Sequence, residues 1–358
     1  MSAPWRVAIV GLDHPHGAGW RRALALVDDR FEVAALVPRF EGATTSLEER
    51  YATLPRFETV EELLAWNEFD AALLTTPNAE TPDAVVRLAE AGKHLLVEKP
   101  GAANAAEARR MAKAIRAAGV SFQNGYLWRY DEGANRLRQM IADDRFGGLA
   151  SIELTYFTSD VAHRGAEHYL FDRAASGAGF FNWLACHWLD LLFYIVAQPV
   201  VAVTARVGVF GATQVDVEDG GTAILELADG TLVTFTGGYW LSRWTGESRW
   251  SLRGQHRWVH WEPNRVGTGG HFEIHGPQPQ FDAMDESFTL PADTTACYGG
   301  ARTRELLRDW YHAGQRHNLP DLQVRNTPES TVAVLELIDA IYRSSVEGRR
   351  LECQIGPG

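Results

Sequence analysis

Gly92-Lys93-His94-Leu95-Leu96-Val97-Glu98-Lys99-Pro100 is a short apolar segment that runs into an acid, a base and a proline. Leu95-Leu96-Val97 reads as a strand of a parallel sheet buried on both faces. In open α/β sheets ligands bind just beyond the carboxyl ends of such strands, so Lys99 stands where a ligand sits. Pro100 fixes its own φ and restricts the residue before it to extended backbone, which sends the Lys99 side chain out of the sheet in a defined direction. The nine residues alone also fit an exposed lysine at a strand end, and the flanking segments decide between the two.

Toward the N-terminus, Arg6-Val7-Ala8-Ile9-Val10 reads as a buried first strand, with Gly11 where a dinucleotide-binding turn begins. The fingerprint G-x-G-x-x-G then falls on Gly11, Asp13 and His16, and only the first glycine is kept. Asp13 adds bulk and a like charge where backbone would approach a pyrophosphate. Gly17 and Gly19 supply freedom a few residues later, and His14 and His16 are placed to offset Asp13 or donate to phosphate. A structural turn capped by Asp13 explains the same residues. A helix over 17–27 leads to a strand over 32–37, which ends in Val37-Pro38-Arg39. No acid is there to bond a ribose 2′-hydroxyl, and Arg39 occupies the place of an arginine that accommodates a 2′-phosphate, which favours NADP over NAD. The alternative is an exposed arginine after a turn. Thr59 and Glu62 have capping-box spacing before a helix over 60–66, and a strand over 70–76 runs into Pro77-Asn78. Thr81-Pro82 read as the N-cap and first residue of a further helix.

Toward the C-terminus, Asn104 and Glu107 repeat the capping-box spacing, opening a helix over 105–118 that stops at Gly119. A strand over 120–123 closes the first domain, and a helix over 132–142 leads to Gly147-Gly148. From Ser151 onward the pattern alternates as strands over 151–158, 200–209, 221–227 and 231–236, the last two joined by an Asp229-Gly230 hairpin turn. Strands over 248–252 and 257–261 carry part of a cluster made of Trp240, Trp244, Trp250, Trp258 and Trp261. Helices over 303–317 and 328–347 follow, the second with Thr327 as N-cap, Pro328 at its first position and Gly348 beyond its end.

Composition narrows the classes of function. At 358 residues the chain is long enough for two domains. With 46% hydrophobic and 22% charged residues it reads as an ordinary globular protein. A net charge of -12 argues against nucleic acid as a partner, since phosphates need Lys and Arg stripes. Met1 leads straight into the first strand with no signal-like segment, and no uninterrupted apolar run reaches bilayer length, so the expectation is a cytoplasmic protein with no membrane partner. Three scattered cysteines, Cys186, Cys297 and Cys353, suggest neither a disulfide framework nor structural zinc. The pairs His14/His16 and His163/His168 match no ligand spacing, so no metal is assigned.

With the segments around it, Val97-Glu98-Lys99-Pro100 resembles the Glu-Lys-Pro signature of the glucose-fructose oxidoreductase, inositol dehydrogenase and MocA family (Gfo/Idh/MocA), over about Val7 to Leu351. The resemblance implies an α/β fold with a Rossmann-type dinucleotide-binding domain over 1–124. It also implies a C-terminal α+β domain over 125–358 with a large, open, mainly antiparallel sheet, and the helix over 328–347 returning to the first domain. Thr76-Pro77-Asn78 resembles the family's loop against the nicotinamide. Asn124 to Arg129 resembles its crossing segment, which ends in an arginine near the active site. Gly177 to Asp190 resembles its glycine-rich helix, with His187 and Asp190 matching. The residue four before His187 is Trp183 where the family has Asp or Asn, and Asn182 is displaced by one. On an α-helix this puts Trp183 on the face of His187 and turns Asn182 about 100° away.

The resemblance implies a sugar, polyol or cyclitol-like substrate and hydride transfer between its carbinol carbon and a nicotinamide, NADP or NAD. Lys99 and His187 are the expected catalytic pair, His187 taking the hydroxyl proton and Lys99 bonding the same oxygen. Gly11, Asp13, His14, His16, Arg39, Thr76, Pro77, Asn78, Glu98 and Lys99 are the cofactor-binding candidates. Arg129, His163, Arg164, Asn182, Trp183 and His187 are those for substrate. The aromatic stretch over 239–261 is expected in a homodimer or homotetramer interface formed by the open sheet, with stacking on a sugar as the other reading. The altered loop at Asp13 and His16, together with Trp183, keeps two alternatives open: a dinucleotide-sensing regulatory protein, and a lyase or hydrolase that uses the cofactor transiently.

Overall fold

The computed structural model describes residues 3–11, 16–39, 49–211, 215–276, 286–315 and 325–357. Its chain divides into two compact units, Met1–Tyr130 with Thr294–Val332, and Asp131–Asp293 with Ala333–Pro357. The first alternates strands and helices: β1 (Trp5–Val10), α1 (Gly17–Ala25), β2 (Phe31–Val37), α2 (Glu49–Ala52), α3 (Val60–Trp66), β3 (Ala71–Leu74), α4 (Thr81–Glu90), β4 (His94–Val97), α5 (Ala105–Ala118) and β5 (Phe122–Asn124). The strands form a parallel sheet in the order β2-β1-β3-β4-β5. Its central strands are apolar and buried except at their starts, where β1 carries Arg6 and β4 carries His94, as expected of a parallel sheet covered on both faces. Thr59 and Asn104 cap α3 and α5 through Glu62 N at 3.2 Å and Glu107 N at 3.1 Å. Thr81 is the first helical residue of α4 rather than its cap, and its hydroxyl turns back to Pro77 O at 3.0 Å.

The sequence-based division at residue 124 is corrected in two respects. The first unit extends through Tyr130, and it reclaims Thr294–Val332. The reason is apolar burial. Helix α10 (Ala301–Gly314, numbered in chain order after the helices given below) places Leu306, Leu307, Trp310 and Tyr311 in one core cluster with Trp5, Val7, Ile9, Trp20, Leu36 and Leu96. Trp310 packs edge-on to Trp5 at 5.4 Å.

The second unit contains α6 (Glu132–Ala142), β6 (Leu149–Ser159), α7 (Val161–Arg164), α8 (Arg173–Ser176), a π-helical turn (Phe181–Ala185), α9 (Cys186–Val196), β7 (Val200–Gly208), β8 (Gly220–Leu227), β9 (Leu232–Leu241), β10 (Gly246–Gly254), β11 (Trp258–Glu262), β12 (His271–His275) and β13 (Glu286–Thr289). The chain ends with α11 (Pro328–Glu347) and β14 (Leu351–Ile355). The nine strands run β13-β12-β11-β10-β6-β9-β8-β7-β14. Neighbours are antiparallel except β6 and β9, which are parallel. All eleven residues of α9 are buried, as expected of a helix that is apolar all round. The stretch Arg173–Val196 is long and apolar enough to cross a bilayer, yet 94% of its most apolar window is buried inside the protein.

The tryptophans separate by the period of two along a strand. Trp250 and Trp261 are fully buried and lie opposite each other on β10 and β11, with Trp250 packed on Trp188 of α9 at 5.9 Å. They belong to the core of this chain, which corrects their expected place in a subunit interface. Trp258 and Trp244 are the exposed members, at 43% and 73%. Trp250→Ala is therefore expected to cost about 3–5 kcal/mol, as deletion of a buried aromatic does. Trp258→Ala should cost less than about 1 kcal/mol. Urea unfolding of the two variants checks this, and equal losses would overturn the assignment of faces.

Candidate active site

In the first unit the register of the parallel sheet sets the geometry. Val10, Leu74, Val97 and Asn124 stand in one row across β1, β3, β4 and β5. The following residues leave the sheet side by side, with Thr75 N, Glu98 N and Gly125 N donating to Val10, Leu74 and Val97 carbonyls at 2.8, 2.8 and 2.9 Å. Gly11 has φ +87° and sits so close to Thr75 that a Cβ would stand 2.8 Å from its backbone. The Thr75 hydroxyl donates to Gly11 O at 2.6 Å. Glu98 stands in this row beside Gly11, Thr75 and Gly125, and Lys99 follows it one residue later and is only 1% exposed. The loop carrying it is braced from β5, since Asn124 Nδ2 donates to Pro100 O at 3.3 Å and to Thr331 Oγ1 at 3.0 Å.

Several candidates for the cofactor have protein partners in this unit. Glu98 accepts from Trp20 Nε1 at 2.6 Å and stands 3.5 Å from His16 Nδ1. His16 stacks on Tyr298 at 4.4 Å. These contacts tie the start of α1 to the end of β4. Arg39 places Nε and Nη2 on the two carboxylate oxygens of Glu80, an acid the sequence reading did not use. Thr76 bonds Thr81 between hydroxyls at 2.7 Å, and Asn78 is buried beside Pro77. Asp13 and His14 lie outside the described residues. Arg129 is buried on a 3₁₀ turn (Leu127–Tyr130), where its guanidinium donates to Arg325 O and its own carbonyl accepts from Arg325 at 3.2 Å. No residue of the first turn of α1 is acidic, so its N-terminal N–H groups suit an anion such as a pyrophosphate.

In the second unit His187 lies one residue into α9 and is 8% exposed. The turn before it is π-helical, with Cys186 N reaching back five residues to Phe181 O. Such turns are frequent at functional sites. They also hold more residues than an α-turn, so each residue rotates by less than 100°. Asn182, a substrate candidate that α-helical geometry turned about 100° away from Trp183, is thereby brought nearer the His187 face. Asn182 Nδ2 donates to Ser176 O at 3.1 Å, while its Oδ1 is buried without a hydrogen-bond partner among the described residues. Trp183 is 7% exposed and meets Tyr169 edge-on at 6.3 Å.

The loop candidates take local roles. His163 Nδ1 bonds Asp160 Oδ1 at 2.7 Å, and these bonds hold the Asp160 carboxyl below its ordinary range. Arg164 donates to Ser159 O at 3.2 Å and Thr158 Oγ1 at 3.0 Å and lies over the rings of Tyr239 and Trp244. Burial pushes the Tyr239 hydroxyl well above its ordinary pKa, with Arg164 opposing the shift.

The helix of His187 is held by a residue that sequence reasoning missed. Glu218 accepts from Gly179 N at 2.9 Å, Phe181 N at 3.0 Å and Tyr342 OH at 2.6 Å. Gly179 is the last glycine of the turn, and a Cβ there would meet Glu218 O at 1.9 Å. No motif marks Glu218, which lies 39 residues after Gly179 in the chain. The one signal was that the turn needed glycine at position 179.

Comparison with known proteins agrees with this architecture. The description "Oxidoreductase family, NAD-binding Rossmann fold" matches residues 5–126, and "GFO/IDH/MocA C-terminal domain" matches residues 134–260. Inositol 2-dehydrogenase of Rhizobium meliloti (strain 1021) is 25% identical over 177 residues, 49% of this chain and 51% of the relative. The aligned region spans about half the length of the curated relatives it matches. Among solved structures, a levoglucosan dehydrogenase in complex with NADH superposes with TM-score 0.82 at 16% identity, covering 98% of this chain and 99% of the other. GenD2 from gentamicin A biosynthesis, in complex with NAD, does so with TM-score 0.80 at 24% identity, covering 99% and 97%.

Burial holds the Glu218 carboxyl above its ordinary pKa, against the opposing bonds from Tyr342, Phe181 and Gly179. A carboxyl raised in the native state favours folding most when protonated. Its contribution is complete below the unfolded value of about 4.3 and is lost as pH rises through the raised native value. The melting temperature of the parent should therefore fall relative to that of Glu218→Gln as pH increases across that window. Parallel melting curves at every pH would show that the native Glu218 pKa is not raised above the unfolded one.

Proposed function

The chain belongs to the Gfo/Idh/MocA oxidoreductase family, and from that premise we propose that it is an NAD(P)-dependent dehydrogenase or reductase acting on the CH–OH group of a sugar, polyol or cyclitol-like compound. The observation that carries this reading is Lys99, a lysine 1% exposed just past the carboxyl end of a central parallel strand, one residue beyond the row of Gly11, Thr75 and Glu98. Ligands of open parallel sheets bind just beyond the carboxyl ends of the strands, where this lysine stands. The relatives named inositol 2-dehydrogenase and levoglucosan dehydrogenase support the substrate class.

The residues present fit a dinucleotide. Gly11 lets backbone turn tightly after β1, and α1 offers an N-terminus free of acidic side chains in its first turn. Gly11 with the α1 N-terminus would hold the pyrophosphate, and Thr76, Pro77 and Asn78 would lie along the nicotinamide half. The nicotinamide cofactor, when bound, supplies the acceptor for the hydride that leaves the carbinol carbon. His187 takes the hydroxyl proton, and Lys99 donates a hydrogen bond to the same oxygen as it gains charge and becomes the carbonyl oxygen. Asn182 Oδ1 accepts from a further substrate hydroxyl, and Trp183 offers an apolar face to the ring. A non-catalytic dinucleotide sensor is the second reading, favoured by the replaced glycines at Asp13 and His16 and by Trp183.

NADP(H) is proposed to bind at least as tightly as NAD(H), with Arg39 on the 2′-phosphate in place of Glu80. Arg39→Ala should then weaken NADPH more than NADH, and Glu80→Gln should strengthen NADPH relative to NADH. Fluorescence titration reads both, and a parent that prefers NADH refutes the assignment. The assembly proposed is a homodimer or homotetramer through the outer face of the nine-stranded sheet at β8 and β9, where Ile224 and Leu232 are 40% and 45% exposed. A stable monomer of 39.7 kDa in light scattering would count against it.

The chemistry has its own test. Lys99→Ala and His187→Ala should each lower kcat by about 100- to 10,000-fold, the range for general acid-base groups, with cofactor binding close to that of the parent. Trp183→Ala should raise KM more than it lowers kcat, since a stacking wall binds ground and transition states alike. Turnover that survives His187→Ala within a few-fold would refute His187 as the group that takes the proton, and a parent that binds dinucleotide without turning over any sugar or cyclitol would move the sensor reading ahead.

A further inference from the structure

Alternation along β10, β11 and β12 that turns Trp250, Trp261 and Phe272 into the core turns another row outward. Ser251, His260 and Glu273 stand directly opposite one another across the three strands, and Trp258 stands opposite His275. His260, Glu273 and His275 each bring a ligand atom to within 4.8 Å of the others. We propose that these three side chains bind a divalent transition-metal ion, zinc in the first place, on the face of the sheet opposite α9.

The donor set decides the class of ion. Two imidazoles and one carboxylate are ligands that zinc takes with a fourth position left open, whereas calcium and magnesium require oxygen shells. Zinc bonds of about 2.0–2.2 Å in a tetrahedron put ligand atoms about 3.4 Å apart, so atoms within 4.8 Å of one another must close by at most about 1.4 Å. These are half-buried side chains on a surface, and rotation about their χ angles supplies that movement.

The surroundings hold the imidazoles as a metal site does. His260 Nδ1 lies 2.8 Å from Ser251 Oγ, so with Nδ1–H donating to serine its Nε2 is the ligating nitrogen. A ligating histidine anchored through its other nitrogen is the usual outer-shell arrangement. The ring of His275 lies flat on Trp258, with centroids 4.6 Å apart and planes inclined by 5°. The cations nearby do not close the site. Arg253 is paired with Glu153 at 3.0 Å. Arg249 lies within electrostatic reach of His260, and Glu273 answers it. His271, two residues before Glu273, holds Thr289 through Nδ1 at 2.9 Å and stands 3.9 Å from Glu273 Oε1, so it can move aside or complete the fourth position.

The test is titration of the purified full chain, stripped with a chelator, with Zn²⁺ against a chromophoric indicator. One equivalent should bind with micromolar affinity or tighter. His260→Ala, Glu273→Gln and His275→Ala should each weaken it about tenfold or more. Ser251→Ala, which keeps all three ligands, should weaken it about 10- to 100-fold, as loss of an outer-shell partner does. Circular dichroism of each variant separates loss of binding from loss of fold. As an independent reading, Cu²⁺ should quench the fluorescence of the parent at one equivalent, and Trp258→Phe should remove that component without changing Zn²⁺ affinity. Absence of saturable Zn²⁺ binding, or binding unchanged in His260→Ala and Glu273→Gln, overturns the proposal.

Discussion

The constraint on which the rest depends is the register of the parallel sheet. Because Val10, Leu74, Val97 and Asn124 end in one row, the residues after them emerge together, and chemistry-bearing side chains far apart in the chain become neighbours at one sheet edge. A slip of one residue in β4 would reverse the faces of its side chains and pull Lys99 out of the row. The register is locked by packing, since Ala71–Leu74 of β3 and Leu95, Leu96 and Val97 of β4 are apolar and fully buried. Asn124 and Thr331 then fix the Pro100 loop by hydrogen bonds that have no water to compete with them.

A second constraint governs α9. Its N-terminal turn has N–H groups with no helical partners, and Glu218 satisfies two of them while taking a third bond from Tyr342. Burial nevertheless outweighs those bonds and raises the Glu218 pKa. The clamp requires glycine at 179, and it meets the chain at the point where the helix begins with five-residue spacing. The π turn closes one residue later than an α-turn, and Asn182, five residues before His187, is the position whose direction it changes.

What was legible in the sequence was local or strongly periodic. The strand before Lys99, the caps at Thr59 and Asn104, the hairpin at Asp229-Gly230 and the apolar helix of His187 all follow from short-range rules, and the structure contains each. Strands β12, β13 and β14 were not read, because runs such as Glu286–Thr289 are short and their strand character comes from pairing with a neighbour. The return of α10 to the first unit was hidden for the same reason, since its apolar stripe says that it is buried but not against what. Glu218, Glu80 and Tyr298 act through contacts over long separations in sequence that carry no motif.

The tryptophan stretch shows how far a pattern can mislead when its period is ignored. Five tryptophans between positions 240 and 261 look like one patch. On strands, however, residues of odd and even parity face opposite ways, and Trp250 and Trp261 lie opposite each other on the inner face while His260 and Ser251 share the outer one. The inner pair supplies the dry contact with Trp188. The outer positions can then carry polar residues at no cost to the core, because the apolar burial of these strands is already provided from the other side. Two histidines and a carboxylate on that face therefore need no explanation from folding, and a function for them has to be sought in what the outer face binds.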